Sequence, residues 1–193
     1  AIDPSESDDN FPTKLFSPLL YTGNGGTNNI TGLGFKPDLT WIKIRNTPSN
    51  GPLVDSTRGT SDIIFSQITG GSVTSANLTA FGTDGFSLAG GLASYDANFN
   101  GNSNTYASWN FRANGGTTSS NSEGSVTSTV QADPSGAFSI VKYRGGLSGS
   151  GAATIGHGLS KAPSMIIFKS YANLGGGDGQ WWVGHDVLTS WNY

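Results

Sequence analysis

The chain contains 193 residues, of which only 12% are charged, and it carries a formal net charge of −3. A chain with this charge balance has no general attraction for nucleic acid or for an anionic membrane surface, so we expect neither as a partner. No apolar run is long enough to insert across a membrane, and the lack of cysteine excludes disulfides, thiolate zinc sites and cysteine nucleophiles.

The composition favours a globular all-β protein. The 29 glycines accompany many serines, threonines and asparagines, a balance typical of short strands joined by polar turns. Aromatic residues make up 11% of the chain and supply more apolar surface than a disordered chain usually has. The first residues are acidic and polar without a signal peptide, so we expect the protein to be made and folded in a cytoplasm.

In chain order, residues 1–12 are predicted to form an N-terminal arm, either a frayed end or a segment that becomes ordered against a partner. Residues 13–113 contain strand patterns separated by turn clusters, which predicts a first β-sandwich unit. Its clearest strand lies at residues 106–112, where large apolar residues alternate with polar ones. One face of that strand should be core and the other wet or interfacial.

Residues 114–124 have the composition of a linker, and a partial copy of the first unit follows them. The stretch GLGFKPDLTWIKIR at residues 32–45 recurs as GLSKAPSMIIFK at residues 158–169, and FSPLLYTG recurs as FSIVKYRG. Residues 125–193 are therefore predicted to be the beginning of a second, similar β unit that is truncated. In both copies the strand has two apolar faces, so we expect it to be covered on both sides, with its lysine ammonium reaching water.

The titratable side chains form no recognisable catalytic motif, and we predict no enzyme, no catalytic residue, no metal ligand and no cofactor-binding residue. His185 and Asp186 are adjacent, so their side chains should diverge on a strand. Asp55 and Arg58 are interpreted as a turn held by its own polar side chains. One alternative stays open for the loop at residues 96–104, because its Asp and Asn oxygens are of the type that calcium prefers.

Aromatic residues crowd the C-terminal end and are the best candidates for recognition or subunit contact: Trp181, Trp182, Trp191 and Tyr193. Aromatic faces are surfaces on which partner subunits or sugar rings stack. On a strand Trp181 and Trp182 point in opposite directions, so one of them should be core. We expect core packing and subunit contact, with a glycan platform as the alternative.

From residue 16 onward the chain contains six characteristic blocks: LYTGNGGTNNITGLGFKPDLTWIKIRN, LVDSTRG, TDGFSLAG, YASWNFRANGG, EGSVTSTVQADPSGAFSIVKYRG and ATIGHGLSKAPSMIIFK. In this order the blocks resemble a family found in structural proteins of tailed bacteriophages, especially marine and cyanobacterial ones. Those proteins look like tail fibres, capsid-associated fibres or related virion appendages, and their repeats are similar to concanavalin-A-like and LamG-like jelly rolls.

The resemblance implies a jelly-roll-like β-sandwich with an internal duplication and an incomplete second copy. It also implies a structural component of a virion, namely the N-terminal, particle-attaching part of a tail fibre or appendage that contributes to host attachment. Expected partners are copies of the chain itself in a homo-oligomer, for example a trimer, and other virion proteins. Two alternatives stay open: a lectin-like module that binds host surface polysaccharide, and a capsid decoration or fibre protein.

Overall fold

The computed structural model describes residues 12–90, 95–145, 152–172 and 179–188. Almost all regular structure in these ranges is β, which confirms the predicted all-β class. The other elements are a 3₁₀ turn at Pro12–Lys14 and a single-turn helix, α1, at Asp96–Phe99. The strands are β1 (Phe16–Thr22), β2 (Asn28–Thr31), β3 (Leu39–Ile44), β4 (Pro52–Asp55), β5 (Gly59–Phe65), β6 (Val73–Thr74), β7 (Leu78–Gly82), β8 (Gly85–Leu88), β9 (Thr105–Phe111), β10 (Ser119–Asn121), β11 (Ser128–Ala132), β12 (Ser139–Tyr143), β13 (Met165–Lys169) and β14 (Trp181–His185).

Two antiparallel sheets form a β-sandwich in the first part of the chain. The larger sheet has six strands in the order β1-β9-β3-β4-β5-β6, and the smaller has three in the order β2-β8-β7. Their inner faces enclose one hydrophobic core, in which Ile42, Phe65, Phe86, Leu88 and Tyr106 are each at most 2% exposed. The β-sandwich predicted from the strand pattern is therefore confirmed.

The alternation predicted for β9 is confirmed, and the polar side of the strand faces inward. Ser108 and Asn110 are fully buried, whereas Trp109 on the opposite face is only partly buried. Asn110 Nδ2 donates to the carbonyl oxygen of Ser17 and to the hydroxyl of Ser108, each at 3.0 Å, and Asn110 Oδ1 accepts from the Thr40 hydroxyl. These polar groups can be buried because their hydrogen bonds are made within the sheet.

The strand shared by the two sequence copies is not covered on both sides, so that prediction was wrong. In β3, Ile42 and Ile44 are buried in the core, but Trp41 on the outer face is 38% exposed. In β13 the four residues from Met165 to Phe168 are each at least 40% exposed. Among the described strands β13 pairs with β14 alone, and this two-stranded ribbon leaves the apolar side chains of both its faces accessible to solvent.

The range predicted as a linker contains a strand, β10, which pairs with β11, and β11 in turn pairs with β12. Phe138, just before β12, stacks on Phe111 of β9 with ring centroids 5.1 Å apart. The second part of the chain therefore packs directly on the sandwich. The division into two similar units on either side of residues 114–124 stays a prediction.

Asp38, which is fully buried immediately before β3, binds the segment that follows β9 through its carboxylate. Its Oδ2 accepts the backbone N–H groups of Ala113 and Gly115, both at 2.8 Å. Its Oδ1 accepts the hydroxyl of Ser56 at 2.9 Å. A buried carboxylate is tolerated here because three donors satisfy its oxygens.

Gln131 of β11 is also fully buried and connects the second part of the chain to the sandwich. Its Oε1 accepts the backbone N–H of Gly116 at 2.7 Å, and its Nε2 donates to the hydroxyls of Ser56 and Thr57, both at 2.9 Å. The side chain thus joins β11 to the turn after β4 through one amide group.

Candidate functional site

The outer surface of the six-stranded sheet carries a group of aromatic rings, which we call the aromatic face: Phe16, Trp41, Trp109, Phe111 and Phe138. Trp41 lies opposite Trp109, with ring centroids 5.2 Å apart, and Phe16 lies opposite Phe111 at 4.8 Å. Phe138 extends the second pair through its stack on Phe111. Trp109 and Phe111 are two residues apart on β9, so the two groups lie side by side on one surface.

Apolar side chains continue this surface across the neighbouring strands. Pro18 of β1 pairs with Trp109, and Trp41 pairs with Leu53 of β4, so one row crosses β1, β9, β3 and β4. Leu20, farther along β1, is 63% exposed. Soluble monomers rarely expose large contiguous apolar patches, and large patches mark sites of association or ligand binding.

The aromatic face was not identified from the sequence. Trp41 and Trp109 are far apart in the chain, and they meet because β3 and β9 are neighbours in the sheet. The available signal was the alternation itself, since β9 has Trp109 and Phe111 on one side and polar residues on the other. That signal indicates that β9 has two different faces, and packing against the small sheet decides which face is buried.

Trp181 and Trp182, predicted for recognition or subunit contact, lie on the ribbon of β13 and β14 and are both partly buried. The indole Nε1 of Trp181 donates to the carbonyl oxygen of Phe65 at 3.0 Å, which fastens β14 to β5. Trp182 stacks on Phe168 with ring centroids 6.0 Å apart and planes 8° from parallel. Neither tryptophan is core, contrary to the expectation for one of them. Two predicted residues lie outside the described ranges: Trp191 and Tyr193.

The lysine of each sequence copy binds the loop that follows its own strand. Lys43 Nζ donates to the carbonyl oxygen of Ser49, and Lys169 Nζ donates to the carbonyl oxygen of Gly179. Lys169 also donates to the carbonyl oxygen of Ile68 at 3.1 Å, and its ammonium lies 5.3 Å from the ring centroid of Trp181. Burial lowers the pKa of Lys169 from its ordinary value. Both ammonium groups therefore donate hydrogen bonds to loop carbonyl oxygens, whereas the sequence predicted that they reach water.

His185 and Asp186 do not diverge as predicted, because β14 ends at His185 and the chain turns. His185 Nδ1 lies 2.8 Å from Asp186 Oδ1 and 3.3 Å from the backbone nitrogen of Val187. Both side chains are largely exposed, at 42% and 53%.

The interpretation of Asp55 and Arg58 as a self-contained turn is confirmed. Asp55 Oδ1 accepts the backbone N–H of Arg58 at 2.8 Å, and the guanidinium pairs with the same carboxylate. The guanidinium also donates to the carbonyl oxygens of Leu53 and Asp62. Both charged side chains are nearly buried, and their partners all lie within the turn and its two strands.

The loop at residues 96–104 holds its neighbours through an asparagine. Asn100 Oδ1 accepts the backbone N–H of Asn24 and the side-chain amide of Asn28, at 3.1 and 2.9 Å. Asn100 Nδ2 donates to Asn24 Oδ1 and to the carbonyl oxygen of Gly26. The buried amide of Asn100 thus connects residues 96–104 to the Gly-rich loop between β1 and β2 through hydrogen bonds. Calcium binding in this region stays a prediction.

Within the ranges that the structure describes, no three His, Asp or Glu side chains are grouped so that they could hold a metal ion. The described helices include none that is long and apolar enough to cross a membrane.

Comparison with protein-family models matches residues 11–193 to a family described as a domain of unknown function (DUF7483). Comparison with the curated proteins and with the solved structures gives no match. The match covers nearly the whole chain, and the chain therefore belongs to the DUF7483 family.

Proposed function

We propose that this chain is a structural component of a bacteriophage virion, the particle-attaching part of a tail fibre or related appendage that contributes to host attachment. The aromatic face is the observation that carries this proposal. Trp41 and Phe16 remain 38% and 39% exposed although they lie in a six-stranded sheet whose other face packs on the hydrophobic core. Such a surface supports a role in which the sandwich associates with further subunits.

The geometry of the aromatic face suits a permanent contact between subunits. The rings of Trp41 and Trp109 are already in contact, as are those of Phe16 and Phe111, so little side-chain freedom remains to be lost on association. Tryptophan and other aromatic side chains are also the residues that most often dominate the energy of an interface. The low charge of the chain adds little repulsion between copies.

Homo-oligomeric assembly explains how a structural subunit would assist adsorption. Several copies in one appendage present the same weak receptor contact several times, and the contacts sum to firm attachment. We propose that the chain is located in the phage virion after its synthesis in the host cytoplasm.

The test combines two measurements: the mass of the purified chain in solution, and the position of the chain on phage particles from a lysate that contains it. An oligomeric mass, together with antibody label at the tail or at a fibre in electron micrographs, is the expected result. Label spread over the capsid surface would favour the decoration protein instead. A monomer that is absent from particles would overturn the structural role.

A second candidate is a lectin-like module that binds host surface polysaccharide, and the Trp41 and Trp109 pair favours it. Two indole rings tilted 44° to each other on an open sheet offer stacking surfaces of the kind that sugar rings use. This candidate requires the monomer to bind glycans by itself. Glycan titration of the wild-type chain at a concentration where it is monomeric, repeated with Trp41→Thr, distinguishes the two, because only the lectin predicts that the monomer binds glycans and that the substitution removes this binding.

A further inference from the structure

Asparagine is followed directly by glycine at four places in the sequence, and this dipeptide is chemically reactive. The glycine nitrogen can attack the side-chain amide carbon of the asparagine, because glycine has no Cβ to hinder the approach, and asparagine is a thermolabile residue for this reason. All four dipeptides lie in the described ranges: Asn24 with Gly25, Asn50 with Gly51, Asn100 with Gly101, and Asn114 with Gly115. Whether each one reacts depends on how firmly the fold holds the glycine N–H.

Three of the four glycine N–H groups donate to acceptors that are part of the backbone or of the buried interior. They are Gly25, which donates to the backbone carbonyl oxygen of Asn100 at 2.9 Å, Gly101, which donates to the hydroxyl of fully buried Tyr106 at 2.8 Å, and Gly115, which donates to the carboxylate of fully buried Asp38 at 2.8 Å. Release of any of these three N–H groups requires local unfolding, which protects the asparagine that precedes each glycine.

The fourth dipeptide, Asn50 with Gly51, is held by the side chain of Gln67. Gln67 Oε1 accepts the backbone N–H of Gly51 at 2.9 Å, and Gln67 Nε2 donates to Asn50 Oδ1. Gln67 is exposed, whereas the acceptors at the other three sites belong to the backbone or to buried side chains. Rotation of this one side chain therefore releases both the nitrogen that attacks and the amide group that is attacked, and exposed side chains rotate much faster than a backbone opens.

The packing around position 51 explains why glycine follows Asn50. A Cβ at this position would lie only 2.8 Å from Ser66 Oγ and 3.1 Å from Trp41 Nε1, so a larger residue would collide with its neighbours. The same packing that favours glycine thus leaves Asn50 beside the residue that hinders ring closure least.

We propose that Asn50 is the residue at which this chain first converts to aspartate or isoaspartate, and that Gln67 sets the rate. The Gly51 nitrogen loses its proton to hydroxide and bonds to Cγ of Asn50, and ammonia leaves. Water then opens the resulting succinimide at either of its carbonyl groups, which gives aspartate or isoaspartate. The proposal rests on the contacts of these residues and does not depend on a role in a virion.

Isoaspartate at position 50 would add a methylene group to the main chain between two anchored carbonyl groups. The carbonyl oxygen of Ser49 accepts the ammonium of Lys43, and the carbonyl oxygen of Gly51 accepts the backbone N–H of Ser66 at 2.9 Å. Both hydrogen bonds cannot keep their geometry when the chain between them becomes longer. The conversion therefore loosens the connection between β3 and β4.

The experiment incubates the full chain at mildly alkaline pH and follows the conversion by mass spectrometry of tryptic peptides. Cleavage after Lys and Arg places the four asparagines in four different peptides, and Asn50 lies in residues 46–58. Asn50 should react before the other three, and in concentrated urea the four should react at similar rates. Gln67→Ala should accelerate the reaction at Asn50 alone by roughly tenfold, because both hydrogen bonds of the amide are lost. The matched control is Gln180→Ala, another exposed glutamine, which should leave all four rates unchanged.

Three results would overturn the proposal. The first is a folded chain in which another of the four asparagines reacts first, or in which the order is the same as in urea. The second is a Gln67→Ala variant that reacts at Asn50 no faster than wild type. The third is equal acceleration at all four sites in this variant, since that pattern indicates general unfolding. Gln67→Glu retains an acceptor for the Gly51 N–H, and its rate at Asn50 should lie closer to that of wild type than the rate of Gln67→Ala does.

Discussion

Trp41 of β3 and Trp109 of β9 face each other on the outer surface of the large sheet, with ring centroids 5.2 Å apart and planes tilted by 44°. The pair lies in a row of apolar side chains that crosses four strands, and the inner face beneath it is filled by the core and by buried polar residues. The rings therefore form an apolar outer surface, while the hydrophobic core packs on the opposite side of the same strands.

Replacement of Trp41 by threonine should weaken self-association by at least tenfold, because a central aromatic residue of an interface is the type most costly to remove. The monomer should lose about 1–3 kcal/mol of stability, because the indole packs on Trp109, although 38% of the residue is exposed and threonine suits a strand. Sedimentation equilibrium and thermal unfolding measure the two effects. The control is Tyr143→Thr, a similarly exposed aromatic residue of β12. Equal association of both variants and the wild type would exclude the aromatic face as a subunit contact.

Gln131→Leu should destabilise the protein by about 2–4 kcal/mol, because the buried N–H of Gly116 loses its acceptor and two hydroxyls lose their donor. Urea denaturation with fluorescence detection gives the free energy of unfolding. Gln180→Ala changes an exposed glutamine and should remain within about 0.5 kcal/mol of wild type. Similar stabilities for the two variants would show that the amide of Gln131 does not hold β11 to the sandwich.

Asn100→Asp tests whether Asn100 stabilises the loop between β1 and β2 by hydrogen bonds or whether residues 96–104 form a calcium site. The substitution replaces a buried donor with a charged oxygen that faces Asn24 Oδ1 and the Gly26 carbonyl oxygen. We expect a loss of about 3–5 kcal/mol that calcium does not restore. Asn102→Asp, at an exposed neighbouring position, should be nearly neutral. Thermal unfolding with and without calcium chloride is the measurement, and rescue of Asn100→Asp by calcium would favour the metal site.

The raised pKa of Tyr21 predicts that the stability of the protein falls at alkaline pH. Burial, and to a lesser extent the neighbouring Tyr106, raises the pKa of Tyr21 well above its ordinary value of 10.0, and its hydroxyl donates to the Phe99 carbonyl oxygen at 2.7 Å. The folded protein therefore keeps this proton at a pH where the unfolded chain loses it. The resulting stabilisation is complete below about pH 10 and is lost progressively above it.

Tyr21→Phe should be less stable than wild type near neutral pH by about 1 kcal/mol, because the hydroxyl bond is lost. Its stability should fall less steeply than that of wild type as the pH rises through about 10. Tyr143→Phe, at a 40% exposed position, should retain the wild-type slope. Unfolding curves at a series of alkaline pH values measure both slopes, and parallel curves for Tyr21→Phe and wild type would contradict the assignment.

Local features were predictable from the sequence because they depend on residues close together in the chain. The turn at Asp55 and Arg58 is an example, since every partner of its ion pair lies within a few residues. The candidate functional site was harder to predict from the sequence. Trp181 and Trp182 were named for their aromatic character, yet one is fastened to β5 and the other is stacked within its own ribbon.

By itself the sequence determined the all-β class, the strand alternation of β9 and the repeat that makes β3 and β13 equivalent, because periodicity, turn residues and duplication are local properties. Only the tertiary structure decided that β9 buries Asn110 and leaves Trp109 partly buried on the outer face. A strand presents two faces, and neither is inside until a second sheet covers one of them and hydrogen bonds from distant strands satisfy its polar groups. The same reason applies to β13, whose sequence resembles that of a covered strand and whose surroundings leave it open.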